Sequence, residues 1–344
     1  MGHKLNRRAA FGLGTAVAAG GLLATNASAQ STGESVADVS PSTPEQARLR
    51  VKAVYDAAAG AAGGVWNSYI SVADPDGTPV PAVNIGSDDL VEAFSVNKVP
   101  AAVAVLDKID RGLLTLDQRV DVPASIVIAD GDGILALDRA YPSTITIGHI
   151  LALLLTVSDD TCVRLTGLVC PPKEINEILV AKGFPKTQVI PAANPNRYFL
   201  GKTTPREMHD LLLAVAKGSL LSATSTSYLL NVLRSQVAFT DGIRRVMSSQ
   251  DRSRVATKAG WFFSSLSEGR NEAGIMFDTA GKPVLVYSLF AHGQAHPEDF
   301  GATHPAVQAR AVMGPCFLRA IDNIAGAPAA RALSAPTYNP SNGG

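Results

Sequence analysis

Apolar and polar positions along this chain follow two different periods, and the change of period divides it. The run EQARLRVKAVYDAAAGA (Glu45 to Ala61) spaces its apolar residues at helical intervals and predicts a helix. WNSYISVADPDGTPVPAVNIG follows as two strand-like stretches either side of Asp74-Pro75-Asp76-Gly77, a hairpin with its turn at those four residues. From Ser95 to about Arg234 the pattern is helical with loops, through VPAAVAVLDKIDRGLL, ITIGHILALLLTVSDDTCVRLTGLV, KEINEILVAKGF and PREMHDLLLAVAKG. Beyond Val255 it turns to strands: RVATKAGWFF, EAGIMFD and PVLVYSLFA, the last two joined by Thr279-Ala280-Gly281-Lys282. HPAVQARAVMGPCFLRAIDNIAG predicts a closing helix, and no internal repeat is present.

A helix and hairpin, an inserted helical block, then strands and a last helix predict an α+β fold. An antiparallel sheet flanked by helices is completed by both chain ends, with an all-α domain between them. The expected boundaries are 1–29 for a leader, 30–44 for a polar Ser/Thr/Pro linker, 45–94 with 236–326 for the sheet domain, 95–235 for the helical domain and 327–344 for a flexible tail. The 344 residues leave ample chain for a core, and 46% hydrophobic against 17% charged residues excludes a disordered chain. Lys+Arg and Asp+Glu are both 30, so no charge excess points to nucleic acid as a partner. A monomer acting on a small molecule is expected.

The first thirty residues stand apart from the fold. MGHKLNRRAAFGLGTAVAAGGLLATNASAQ has a basic start, a mildly apolar stretch from Phe11 to Leu23 and an A-x-A ending at Ala27-Ser28-Ala29, the anatomy of a secretory signal. Arg7-Arg8 before a weakly hydrophobic Gly/Ala-rich run is similar to a twin-arginine signal, so a secreted or periplasmic protein is expected. Thirteen apolar residues are too few to span a bilayer, and no later segment is longer; LALLLTV reads as a buried helix. After signal removal no membrane association is expected.

Metal and disulfide chemistry find little support. Cys162 and Cys170 can pair in an oxidising compartment, leaving Cys316 free, or all three can remain thiols; the sequence leaves both open. Neither C-x-x-C nor H-E-x-x-H occurs. His292 and His296 have helical spacing, but Gly293 and Pro297 place them in a loop. No metal or other cofactor is expected.

Candidate chemistry gathers at three points. Ser95 and Lys98 form the chain's one S-x-x-K, a spacing that stacks both side chains on one helix face. Ser158-Asp159-Asp160 closes the apolar helix LALLLTV and precedes a new helix, a position that can push a hydroxyl into a cleft. Lys258-Ala259-Gly260 opens a strand and is the chain's one K-x-G. A second Ser-Asp-Asp at Ser87 to Asp89 lies in a Gly-containing turn eight residues before Ser95 and reads as a solvated loop. The order and separations match the S-x-x-K, S-D-N, K-T-G triplet of penicillin-recognising serine enzymes. With FSVNK, GDGIL, NRYFLGKTTPREM, VATKAGW and GRNEAGIMF, the chain resembles the class A β-lactamase-like serine hydrolases over roughly Glu45 to Ile324.

That resemblance implies a β-lactamase/transpeptidase-like fold and an acyl-enzyme mechanism. Ser95 attacks an acyl carbonyl and Lys98, if neutral, takes its proton; the positive end of its helix and the nearby Lys258 would both favour the neutral amine. Ser158 passes the proton to the leaving group, and backbone N–H groups of Ser95 and Trp261 form the oxyanion hole. Lys258 and Arg270 would bind a substrate carboxylate, with Asp160 and Gly260 beside it.

Three departures bear on substrate. The β-lactamase subgroup carries a water-activating glutamate on a loop between the second and third motifs, and here Ile178 to Arg206 holds no Asp or Glu. Asp160 replaces the asparagine of S-D-N, exchanging an amide donor for an acceptor. Ala259 replaces the hydroxyl of K-T-G. Each lost hydrogen bond is worth about 1–3 kcal/mol in a buried site. The expectation is an exported serine hydrolase or acyltransferase forming an acyl-Ser95 intermediate with an ester, amide, peptide-like or lactam substrate. A working β-lactamase, a D-Ala-D-Ala carboxypeptidase and a non-catalytic penicillin-binding-like protein are the alternatives. A Ser-His-Asp hydrolase is disfavoured because no G-x-S-x-G elbow exists.

Overall fold

Thr43 caps the first helix: its hydroxyl accepts from the Gln46 amide, Pro44 occupies the first turn, and α1 (Pro44–Ala62) follows. The computed structural model describes residues 40–324, so the leader, most of the linker and the tail expected from the sequence lie outside the described residues. β1 (Val65–Ala73) and β2 (Pro79–Ile85) form the hairpin around Asp74–Gly77. A two-residue strand, β3 (Val91–Glu92), leads into the 3-10 turn Phe94–Asn97 and then α2 (Lys98–Asp110).

The helical block is more punctuated than its apolar pattern suggests. β4 (Arg119–Val122) pairs with β5 (Ser143–Thr146) as a ribbon, with the short α3 (Leu135–Asp138) between them. The stretch beginning ITIG therefore opens as a strand, and α4 (Ile147–Thr156) starts where the Thr146 hydroxyl caps it. α5 (Asp160–Val169) begins after Ser158, as expected, because Asp159 Oδ1 accepts from the Cys162 amide at 3.1 Å and caps the new helix. After α6 (Pro172–Ala181), β6 (Gln188–Pro191) and β7 (Tyr198–Thr203) join β3 in a small antiparallel sheet. α7 (Pro205–Ala216), α8 (Ala223–Leu233) and the single turn α9 (Ser249–Arg252) complete this region.

Three long strands and a helix close the chain: β8 (Val255–Phe263), β9 (Glu268–Phe277), β10 (Pro283–His292) and α10 (Pro305–Ile321). The main sheet has the order β2-β1-β10-β9-β8, every pair antiparallel, so strands from both chain ends share it. Alternation along β10 sends Leu285, Tyr287 and Leu289 into a core with α1 and α10. Val286 and Phe290 pack into a second core with α2, α4 and α7. Both sheet faces are thus covered, which explains the nearly unbroken apolar run PVLVYSLFA. β8 is an edge strand whose free side meets the 3-10 turn that carries Ser95.

Candidate active site

Two asparagines place the nucleophile's turn. Asn97 Nδ2 donates to the Leu200 and Lys202 carbonyls at 2.7 and 3.1 Å, and Asn271 Nδ2 on β9 donates to the Glu92 carbonyl at 2.8 Å. Between these anchors Phe94 takes a φ of 47° and stacks on Phe262 with ring centroids 5.4 Å apart. A non-glycine residue held there stores about 1–3 kcal/mol of strain, of the kind that gathers at functional sites. Ser95 follows, 8% exposed, and Lys98, three residues on, is wholly buried.

Lys98 Nζ donates to Ser158 O at 2.5 Å, Ser158 Oγ at 3.0 Å and Asp160 Oδ1 at 2.8 Å, which uses all three protons of an ammonium. Lys258 arrives from β8 on the other side, its Nζ 3.0 Å from the same Ser158 Oγ and 2.6 Å from its neighbour's carbonyl, Ala259 O. Burial first, then the charge of Lys98, push the Lys258 pKa well below its ordinary 10.5. Ser158 itself sits at a φ of 56°, which turns its hydroxyl inward between the two amines.

The S-D-D and G-D-G segments hold each other. Asp159 Oδ2 accepts from the Ile134 and Leu135 amides at 2.8 and 2.9 Å, while Asp160 Oδ2 accepts from Asp132 N at 3.1 Å and Asp160 N donates to Asp132 O at 2.9 Å. Glycine is required at 133, where φ is 108° and a Cβ would stand 2.3 Å from Asp159 Oδ2. The first aspartate is therefore a structural clamp and the second the counter-charge of Lys98. Gly260 serves a different end: a Cβ there would come 2.8 Å from both Ser95 N and Val96 N, so its bareness lets β8 approach the nucleophile's backbone. Trp261, one residue on, lines the same cleft as Ser95.

That cleft has a volume of about 750 Å³. The segment 178–206 contributes Ile190, Phe199, Leu200 and Gly201 to it, and no titratable group. Carboxylates come from elsewhere: Glu92, Asp130, Asp132 and Asp160. Only Asp160 was singled out by sequence. The signal for Asp130 and Asp132 was available in two acids flanking Gly131 within the G-D-G loop. Burial, followed by the Asp160 carboxylate, raises the Asp132 pKa, although Asp132 keeps an exposed side at the cleft mouth.

A model of the β-lactamase enzyme family matches residues 48–313. The chain belongs to that family. The curated β-lactamase VEB-1 of Pseudomonas aeruginosa is 24% identical over 245 residues, covering 67% of this chain and 80% of its own. Among solved structures, a β-lactamase from Chitinophaga pinensis aligns with a TM-score of 0.65 at 19% identity, over 80% of this chain and 99% of its own. One from Sphaerobacter thermophilus gives 0.61 at 21%, over 78% and 96%, and the structure of PBP-A gives 0.61 at 19%, over 78% and 95%. These likenesses show the α+β, β-lactamase/transpeptidase-like fold expected from the motifs.

Within that family fold, Arg270 departs from its expected place. It is 2% exposed and does not line the cleft. Its guanidinium donates to the carbonyls of Phe262, Gly269, Pro297 and Asp299 at 2.6–3.0 Å and lies over the Phe300 ring. The arginine staples the 297–300 segment to the β8–β9 hairpin, its two terminal nitrogens spent on backbone carbonyls rather than on a substrate carboxylate while Nε is buried without a partner. Glu207 is equally committed, its carboxylate accepting from Lys186 N and Thr187 Oγ1.

The remaining candidates resolve as structure. Ser87 is buried rather than solvated, and Arg206 holds both it and Asp88. All three cysteines are free thiols. His292 ends β10, and among the described residues no cluster of potential ligands could hold a metal. One hydrogen-bonded Ser-His-Asp chain escaped sequence reading: Ser71 Oγ lies 2.7 Å from His209 Nε2, and His209 Nδ1 2.8 Å from Asp210 Oδ1. Ser71 and His209 are buried between β1 and α7, at 2% and 1% exposure, so this hydroxyl is closed off from solvent.

Proposed function

We propose that this protein is an exported serine acyl-transfer enzyme that works through an acyl-Ser95 intermediate. The observation that carries the reading is the single hydroxyl of Ser158 held 3.0 Å from each of two buried lysine amines. When Lys258 is neutral, Ser158 can give its proton to Lys258 and take one from Lys98, which moves the unprotonated amine to Lys98. Lys98 then removes the Ser95 proton as Ser95 Oγ attacks the acyl carbonyl, and backbone N–H groups of Ser95 and Trp261 receive the oxyanion. The proton returns through Ser158 to the leaving group, the acyl–leaving-group bond breaks, and water or another acceptor later releases the acyl group. Lys258, Gly260 and Asp160 act here as proton store, close-approach position and counter-charge. Arg270 takes no part.

Release is the weak step for a penicillin. The 178–206 segment brings only apolar residues to the cleft, and a missing general base typically costs about 10²–10⁴-fold. A β-lactamase reading draws support from the VEB-1 relative, so one experiment should separate the two. Intact mass followed over time with penicillins, small activated esters and D-Ala-D-Ala peptides should show a Ser95 ester turning over and any penicilloyl adduct persisting. Steady-state penicillin hydrolysis at the rate of a resistance enzyme would refute it. A stoichiometric adduct with no turnover on any ester would instead favour a binding protein. The leader with Arg7-Arg8 supports export by the twin-arginine route, and no described helix is long and apolar enough to cross a membrane.

A further inference from the structure

The charge of the cleft is the reverse of what a carboxylate-bearing substrate needs. Four carboxylates line it and no lysine or arginine does. The cations beneath are sequestered: Lys98, Lys258 and Arg270 are at most 2% exposed, and their hydrogen bonds go to Ser158, Asp160 and backbone carbonyls. Asp160 is neutralised by Lys98 at 2.8 Å and Glu92 faces Lys202 at 3.5 Å. Asp130 and Asp132 have no ion-pair partner within 4 Å among the described residues, so two carboxylates on the rim are left without a direct salt bridge, although the buried amines of Lys98 and Lys258 lie near enough to Asp132 to act on it. The same cleft is lined by aromatic side chains, among them Trp261 and the stacked Phe94 and Phe262, while Phe300 carries the Arg270 guanidinium over its ring. The Ser95 side chain opens into this same space, more than nine-tenths buried and without a hydrogen bond to any described residue, so the acidic, aromatic enclosure is also where a ligand must sit.

Resting on the acyl-Ser95 reading, we propose that the cleft selects cationic aromatic or apolar substrates, a protonated or quaternary amine held by Asp130 and Asp132 against the aromatic wall, and rejects anionic ones. Two terms add. A cation over an aromatic face is attracted by the ring quadrupole. A cleft of one sign also concentrates opposite charge, raising encounter rates by about 10–10³-fold in a salt-dependent way. The same field repels a carboxylate, and with Arg270 withdrawn nothing at the surface of the cleft answers it.

Binding can be measured without any chemistry. Ser95→Ala protein is titrated calorimetrically with benzyltrimethylammonium and with phenylacetate, at low salt and at 0.5 M salt. The cation should bind at least tenfold tighter than the anion, and the ratio should fall about tenfold in an Asp130→Asn/Asp132→Asn background and at high salt. Equal affinities, tighter phenylacetate binding, or a ratio indifferent to the two aspartates would overturn the proposal. A second arm uses active enzyme and three phenylacetyl thioesters whose leaving thiols are cationic, neutral and anionic. Failure of the neutral thioester to acylate Ser95 counts against the acyl-transfer reading alone. Acylation by all three at one rate counts against the charge selection alone.

Discussion

Gly260→Ala isolates the oxyanion hole from the rest of the site. A methyl at 260 would stand 2.8 Å from Ser95 N and Val96 N, where ordinary contact begins near 3.4 Å. Neither neighbour is a flexible side-chain end, since both are backbone of the anchored 3-10 turn, so β8 and the turn must part by about 0.6 Å. Overpacking of this kind costs about 1–3 kcal/mol of stability. The catalytic effect is larger in proportion, because an error of about 1 Å in a reacting geometry costs on the order of 10²-fold and loss of one oxyanion donor about 10²–10³-fold. The expected outcome is a fall of about 10²-fold in the second-order rate of Ser95 acylation, equal to about 2.7 kcal/mol of barrier. Mass spectrometry of the acyl-enzyme against time measures it, at a temperature where circular dichroism shows the variant folded. A phenylboronic acid, which forms a tetrahedral adduct with the serine, should lose affinity by a similar factor. A folded variant that acylates within about threefold of the parent would refute the assignment of Ser95 N and Trp261 N.

Three other perturbations follow from the same geometry. Lys258→Met should abolish acylation beyond about 10²-fold yet raise the melting temperature by a few degrees at neutral pH, because burying an amine without an ion-pair partner costs free energy that an apolar residue of similar size does not. The sign with pH is fixed by the depressed folded pKa: between that value and the ordinary 10.5 the unfolded chain binds more protons, so parental stability rises with pH across this window and the variant should lose that slope in urea titrations. Ser71→Ala should leave labelling unchanged while Ser95→Ala abolishes it, and an adduct mapped to Ser71 would mean that the buried Ser-His-Asp chain opens in solution. Replacing Arg7 and Arg8 together by lysine should hold the protein inside the cell, whereas unchanged secretion with a mature start near Gln30 would rule out the twin-arginine route.

Ser95, Lys98, Ser158 and Lys258 were legible as candidates because each sits in a short motif, and the structure brings the two amines to the Ser158 hydroxyl, while Ser95 lines the adjoining cleft. The long strands and helices were legible for a different reason, since their apolar periods are sustained over nine or more residues. Short pieces were not: β4 to β7 span four to six residues each, too few to sustain a period, and β6 and β7 contain Pro191 and Gly201. Arg270 shows a harder limit. The motif around it suggested a carboxylate binder, but whether a guanidinium faces a cleft or turns into backbone carbonyls depends on the 297–300 segment, far away in the chain. Asp130 and Asp132 needed the same kind of knowledge, because only the clamp from Asp159 and Asp160 turns that loop toward the cleft.

The two departures at the centre of the site are physically connected. Two lysine amines around one buried hydroxyl need a carboxylate nearby, since burial of a like-charged pair without one is expensive. The segment 178–206 has no acid to offer, and the carboxylate that stands 2.8 Å from Lys98 is Asp160, at the position where the family pattern has an amide. An asparagine there would leave the lysine pair without its nearest counter-charge. An aspartate satisfies the lysine but gives up the amide's donation to a substrate carbonyl. On this argument the missing loop acid and the altered third residue of S-D-N form one compensated change. On the proposed acyl-Ser95 reading, it would preserve the nucleophile's proton chain while removing groups that recognise a β-lactam and clear its ester, so the site would keep its chemistry and lose that substrate.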